Sequence, residues 1–89
     1  MNTYKLKQPV EQGEIVYETL ELREPTGKDV KTLGLPFTFK GDLRMDVICQ
    51  YISTLAAVPP SVVDKLSAKD ILQMVPILVG FFGDADGLM

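Results

Sequence analysis

The sequence contains no histidine and only one cysteine, Cys49. Without histidine, Ser-His-Asp triads, HExxH zinc sites and imidazole acid–base catalysis are excluded. A single cysteine forms neither an intramolecular disulfide nor a CxxC metal site, which excludes a disulfide-stapled secreted miniprotein and a zinc finger. We therefore predict a protein that is not an enzyme, with no catalytic residues, no cofactor and no metal site.

Long hydrophobic runs and basic clusters are also missing. No apolar run reaches about 18 residues, the length of a membrane span, and the first ten residues lack the apolar core of a signal peptide, so we expect a cytosolic protein with no membrane partner. Residues 46–89 contain two lysines against five aspartates, which accounts for the whole net charge of −3. A nucleic-acid binder needs a basic face that displaces counterions, so no nucleic acid is expected as a partner.

What remains is the composition of a small globular domain. The 89 residues are 46% hydrophobic and 24% charged, close to the average soluble domain. We predict an α+β fold in which an N-terminal β-hairpin precedes three to four short helices packed as a small helical domain. The whole chain, 1–89, forms one domain, with the hairpin at about 3–23, the helical part at about 26–82 and a flexible tail at 83–89.

Alternating patterns predict the two strands of the hairpin. Residues 4–10 alternate apolar and basic side chains, and residues 15–23 begin β-branched and aromatic before they alternate. Gly13 suits the turn between them because it adopts positive φ without strain. Pro9 has no N–H, so it limits pairing at the end of the first strand.

Capping signals and apolar spacing predict the first helices. The segment Thr26–Asp29 has capping-box spacing for a short helix from about Gly27 to Leu33. Asp42 is predicted to cap a helix from about Leu43 to Ala57. The apolar residues of this second helix follow the spacing of one buried stripe: Met45, Ile48, Tyr51, Ile52, Leu55 and Ala56. Phe37 and Phe39, in the preceding loop, are expected to tuck under the domain.

Two further helices are predicted after the Pro59-Pro60 corner. One helical turn follows that corner, from Ser61 to Leu66. Ser67 and Asp70 again have capping-box spacing, and the last helix runs from about Ala68 to Phe82. Pro76 predicts a kink or a break near Val75.

The last helix is apolar nearly all round, which makes it the candidate for partner binding. Such a helix is buried on every side or has a second partner, and full enclosure is difficult in a domain of this size. An alternative is that Phe37 and Phe39 cover the second apolar side within the monomer. We predict that a partner binds four of its residues: Met74, Ile77, Phe81 and Phe82.

Two ordered motifs carry a resemblance to a known family. The first is Leu20–Asp29, which reads LELREPTGKD, and the second is Leu55–Pro60, which reads LAAVPP and is followed by Val63, Leu66 and Asp70. In this order, after an N-terminal hairpin, they resemble the small tail assembly chaperones of Mu-like contractile-tailed bacteriophages. The likeness runs from about Tyr4 to Phe82.

This resemblance implies a function. Members of that family bind the aggregation-prone tape measure protein in the host cytoplasm, keep it soluble until tube subunits polymerise around it, and are absent from the mature virion. They carry no catalytic residues, and self-association is a further expectation. One alternative is a small structural or completion subunit that stays in the phage particle, where the apolar helix would form a permanent interface. A toxin–antitoxin or regulatory module is a third alternative, with little in the sequence to favour it.

Overall fold

The computed structural model describes residues 2–83 as an antiparallel β-hairpin followed by four helices, which confirms the predicted α+β class. The elements are β1 (Asn2–Gln12), β2 (Ile15–Leu22), α1 (Gly27–Leu33), α2 (Met45–Ala56), α3 (Pro60–Lys65) and α4 (Ala68–Phe81). Residues 84–89, most of the predicted tail, lie outside the described residues. None of the four helices has the length and apolar character needed to cross a membrane.

The hairpin contains a bulge that shapes the rest of the fold. Gly13 turns the chain between the strands with a φ of 63°, as its lack of a side chain allows. The register shifts in β1 between Lys5 and Val10, so that residues 6–9 have only Glu18 opposite them. Pro9 lies in this bulge, where no ladder hydrogen bond is required of it.

The loop before α1 is tied down by one carboxylate. Thr26 and Asp29 form the predicted capping box, in which the Thr26 N–H donates to the Asp29 carboxylate at 2.8 Å and the Thr26 hydroxyl accepts from the Asp29 N–H at 3.4 Å. The Arg23 guanidinium donates to both carboxylate oxygens of Asp29, at 2.7 and 3.2 Å. These bonds hold the pKa of Asp29 well below its usual range, chiefly through Arg23. The end of β2 is thereby fixed to the start of α1.

The start of α2 differs from the prediction that Asp42 caps it. The helix begins at Met45, and its N-cap is Arg44 without a side-chain cap bond. Asp42 instead belongs to a turn, where its carbonyl accepts from the Thr38 N–H at 2.8 Å and its N–H donates to the Thr38 hydroxyl at 3.1 Å. An isolated β-bridge between Phe37 and Leu43 closes this turn. The Asp42 carbonyl, which would accept the first bond of the helix if Asp42 were its N-cap, is paired inside the loop instead.

The Pro59-Pro60 corner and α4 follow the prediction, with one exception. Ala57 ends α2 in the left-handed region, with a φ of 55°, and Pro60 opens α3. The prediction near Val75 was a kink or a break, and the helix α4 continues through Pro76 to Phe81, so the break does not occur. Pro76 and Leu72 are both exposed, and water can therefore satisfy the Leu72 carbonyl that Pro76 leaves without a donor.

The core lies between one face of the hairpin and the helices. The two strands and the helices α2, α3 and α4 contribute buried apolar side chains to it. The helix α1 contributes only the half-buried Leu33, at the edge of the core. The buried apolar residues are Leu6, Val10, Leu20, Leu22, Val47, Ile48, Tyr51, Ile52, Leu55, Val58, Val62, Val63, Leu66, Met74 and Leu78. Most of the predicted stripe of α2 is among them, but Met45 is exposed and Val47 replaces it in the core.

Candidate protein-binding surface

The four residues predicted to bind a partner do not all reach the surface. Met74 is fully buried and packs in the core beside Leu78. Ile77, Phe81 and Phe82 are half-buried and pack against the outside of the core. Three of the four side chains are therefore accessible to a partner in this structure, and Met74 supports them from below.

The Phe82 ring connects the end of α4 to α2 and to the loop between α1 and α2. Its ring contacts Tyr51 and Phe37 edge-to-face, with centroids 5.7 and 5.9 Å apart and interplanar angles of 81° and 79°. Tyr51 is fully buried on α2, and its hydroxyl donates to the Gly34 carbonyl at 2.6 Å. Edge-to-face pairs of this kind stabilise by about 0.5–1.5 kcal/mol each beyond their buried area. The last turn of α4 is thus held against α2 and the loop between α1 and α2.

The same loop, which contacts the end of α4 through Phe37, exposes apolar side chains. Phe39 lies at the turn and is 91% exposed, which contradicts the expectation that it tucks under the domain or covers α4. Leu43 is 46% exposed and is bridged to Phe37, which itself contacts Phe82. Met45, at the start of α2, is 39% exposed. We refer to Phe37, Phe39, Leu43 and Met45 as the loop patch.

A buried carboxylate at the other end of α4 sets the position of the helix. Asp70 is fully buried, and its two oxygens accept from the Tyr4 hydroxyl at 2.9 Å, the Lys7 N–H at 2.9 Å and the Gln8 N–H at 3.2 Å. The Ser67 hydroxyl donates to the same carboxylate at 3.0 Å and accepts from the Asp70 N–H at 3.1 Å. Ser67 therefore caps α4, and the Asp70 carboxylate holds the Ser67 hydroxyl while it binds the backbone of the β1 bulge.

The hydrogen bonds to Asp70 outweigh the cost of its burial. Burial alone raises the pKa of a carboxyl group, but the donors from Lys7, Tyr4, Gln8 and Ser67 lower the pKa of Asp70 below its ordinary value. Burial and the hydrogen bond to this carboxylate raise the pKa of the Tyr4 hydroxyl. The group is thus ionised at neutral pH and fully paired, as a structural anchor requires.

The one thiol among residues 2–83, that of Cys49, is held in its neutral form. Cys49 is half-buried, and burial together with the Asp64 and Asp46 carboxylates raises the pKa of its thiol, so the thiolate is scarce at neutral pH. In the same part of the chain, no three Cys, Asp or Glu side chains are grouped as metal ligands. The side chains that the loop patch exposes most, Phe39, Leu43 and Met45, are apolar.

Sequence reasoning missed the two carboxylate contacts that order the fold. It predicted Asp29 and Asp70 only as helix caps, whereas each also binds a group on or next to the hairpin. Pro9 was a usable signal for the second contact, because proline inside a strand is typical of a bulge with free N–H groups. No pattern in the sequence indicated which residue would satisfy those groups.

Comparison with known proteins identifies a family. A family model described as "Phage tail assembly chaperone proteins, E, or 41 or 14" matches residues 3–83, nearly the whole chain. No curated protein and no solved structure matches it.

Proposed function

Because the chain belongs to the phage tail assembly chaperone family, we propose that it binds the phage tape measure protein, its client, and keeps that protein soluble until the tail tube assembles around it. In this proposal the chain acts in the host cytoplasm by binding alone, without catalysis. It is released before the particle is complete, so the mature virion does not contain it.

The exposure of the loop patch carries this proposal. Phe39 is 91% exposed, and Leu43 and Met45, four and six residues further along the chain, are exposed as well. Covering such a side chain completely stabilises a complex by about 1.5–3 kcal/mol, and clustered exposed apolar side chains mark sites of protein association. A long, aggregation-prone client has apolar helix faces that need such a cover.

The client-binding surface, as we propose it, combines the loop patch with the accessible sides of Ile77, Phe81 and Phe82. Phe37 links the two parts, since its ring contacts Phe82 and its backbone is bridged to Leu43. In this proposal Met74, which is buried in the core, supports α4 from beneath. A second copy of the chain would cover the same surface in the absence of client, which is how self-association enters the proposal.

Co-expression with the tape measure protein tests this function. The chain is expected to raise the soluble fraction of the tape measure protein and to co-purify with it. Phe39→Asp is expected to reduce both effects, because it places a charge on the most exposed apolar side chain without entering the core. Ile15→Asp is the matched control, since Ile15 is also apolar and 56% exposed but lies at the tip of the hairpin.

Two results would contradict the proposed function, and a third would contradict the proposed binding surface. If the tape measure protein stays insoluble beside a folded wild-type chain, the chaperone function is wrong. If mass spectrometry finds the chain in purified particles at a fixed ratio to tube subunits, the protein is a structural or completion subunit instead. Equal loss of client solubility with Ile15→Asp and Phe39→Asp would move the binding surface away from the loop patch.

A further inference from the structure

A groove beside the loop patch is not used by the proposed contacts. It has a volume of about 310 Å³ and lies between the end of α1, the outer side of α2 and the start of α3. Its apolar lining includes Leu33, Cys49, Pro60 and Val63, and its polar edge includes Gln50 and Asp64. A cavity of about 150 Å³ already holds a benzene molecule, so this groove has room for one large apolar side chain or two small ones.

The groove continues the loop patch along one side of α2. Met45 belongs to the loop patch, and Cys49 lies four residues further on and lines the groove. Residues four apart are neighbours on a helix surface, and Ser53 continues the same row into the groove. A helix of another protein laid along α2 would therefore cover the patch and the groove together.

The edge of the groove is acidic. Asp64 lines the groove directly, and Asp46 lies three residues before Cys49 on α2. Both carboxylates are close enough to Cys49 to help raise the pKa of its thiol. No residue that lines the groove is basic. Lys65, the only lysine of α3, is directed to the hairpin, where it donates to the Gln12 side chain at 2.7 Å. An apolar groove with this edge is complementary to an apolar side chain that has a positive charge beside it.

We propose that the groove binds a helical segment of the client that presents an apolar side chain to Leu33, Cys49 and Val63 and a Lys or Arg to Asp46 and Asp64. The inference rests on the proposed function, because it names the client as the occupant. It adds a rule of selection: among the apolar helices of the client, the chain prefers those with basic residues next to the apolar stripe.

The test uses overlapping helical peptides that span the tape measure protein, with binding measured by fluorescence anisotropy. The peptides that bind tightest are expected to carry Lys or Arg next to their apolar stripe, and their affinity is expected to fall as salt is added. The double variant Asp46→Lys/Asp64→Lys is expected to weaken these peptides by about tenfold or more. The matched control is Glu14→Lys/Glu21→Lys, which makes the same change of net charge at exposed hairpin positions.

A single variant and a thiol measurement test whether a loss of peptide binding comes from the groove itself or from damage to α2. Asp46 lies in the first turn of α2, where a negative charge favours the helix, so Asp64→Lys alone must also weaken binding. Cys49 is the only thiol, and its rate of alkylation by N-ethylmaleimide is expected to fall several-fold in the complex with the bound peptide.

The outcomes separate this inference from the proposed function. If the tape measure protein is kept soluble but Asp46→Lys/Asp64→Lys binds peptides as well as the control does, the groove inference is overturned and the chaperone function stands. Unchanged alkylation of Cys49 in the complex overturns the inference as well. If no peptide binds and the tape measure protein stays insoluble, both are wrong.

Discussion

The carboxylate of Asp70 accepts a hydrogen bond of 2.9 Å from the backbone N–H of Lys7, 63 positions earlier in the chain. The bulge in β1 frees this N–H from the strand ladder, and the buried carboxylate takes the place of the missing strand partner. The carboxylate that holds the Ser67 cap of α4 therefore also fixes the first turn of α4 to the hairpin.

Asp70→Asn is expected to destabilise the fold strongly. Asparagine keeps the size of the side chain but replaces one acceptor oxygen with an NH2 group, which faces the backbone donors of Lys7 or Gln8. Hydrogen bonds to a charged group contribute about 1.5–3 kcal/mol, so we expect the free energy of unfolding to fall by about 2–3 kcal/mol. Urea unfolding measures this loss. Asp64→Asn, at an exposed position of α3, is the control, and an equal effect of the two variants would show that the joint is not needed.

Stability is expected to depend on pH through the same groups. The pKa values of Asp70 and Asp29 are both lowered in the folded protein. Their ionised forms therefore stabilise the fold fully above the unfolded-state pKa of about 4, and this stabilisation is lost as the pH falls through the lowered folded-state pKa. Urea unfolding should show little change from about pH 7 to 5 and a steady loss below about pH 4. With Asp70→Asn that loss should become shallower, and an unchanged slope would contradict the assignment to Asp70.

Local signals predicted most of the fold because they act over a few residues. The box formed by Thr26 and Asp29 and the turn at Gly13 lie where spacing and backbone freedom place them. Asp42 was predicted wrongly because its backbone groups pair with Thr38 inside a loop that has its own bridge. Aspartate is common both at helix N-caps and in turns, so sequence alone does not tell which of the two roles Asp42 has.

The binding surface was harder to predict because it depends on which side of each element faces the core. Helical spacing placed Met74 with Ile77 and Phe81 on a second apolar side, but Met74 is fully buried whereas Ile77 and Phe81 are half-buried. Which side of α4 is buried depends on how the helix packs on β1, where Asp70 contacts the bulge, and no spacing rule contains that packing. Phe39 shows the reverse case: an apolar residue predicted as buried is exposed because the turn at 38–41 carries it away from the core.

The end of α2 offers a prediction of increased stability. Ala57 has a φ of 55°, a left-handed conformation that costs an L-residue with a side chain about 1 kcal/mol and that glycine adopts freely. Ala57→Gly is therefore expected to raise the free energy of unfolding by about 0.5–1 kcal/mol. The neighbouring variant Ala56→Gly, inside the last turn of α2, should lower it by a similar amount. Thermal unfolding distinguishes the two, and a lower melting temperature with Ala57→Gly would contradict the prediction.

Substitutions of Phe82 and Phe39 are expected to separate stability from function. Phe82 packs on Tyr51 and Phe37, so Phe82→Ala removes two aromatic pairs and half-buried area, at a cost of about 2 kcal/mol in the free energy of unfolding. Phe39 is 91% exposed, and Phe39→Ala should change stability by less than about 0.5 kcal/mol. Thermal unfolding measures both effects.

The functional readout of this pair is the soluble fraction of co-expressed tape measure protein. Phe39→Ala is expected to reduce that fraction while the chain keeps its melting temperature, since the variant removes only an exposed contact. Phe82→Ala should reduce solubility and melting temperature together, because the patch loses the ring that holds it to α4. If Phe39→Ala leaves the client as soluble as the wild type does, Phe39 is not a contact, and the accessible sides of Ile77 and Phe81 become the surface to test next.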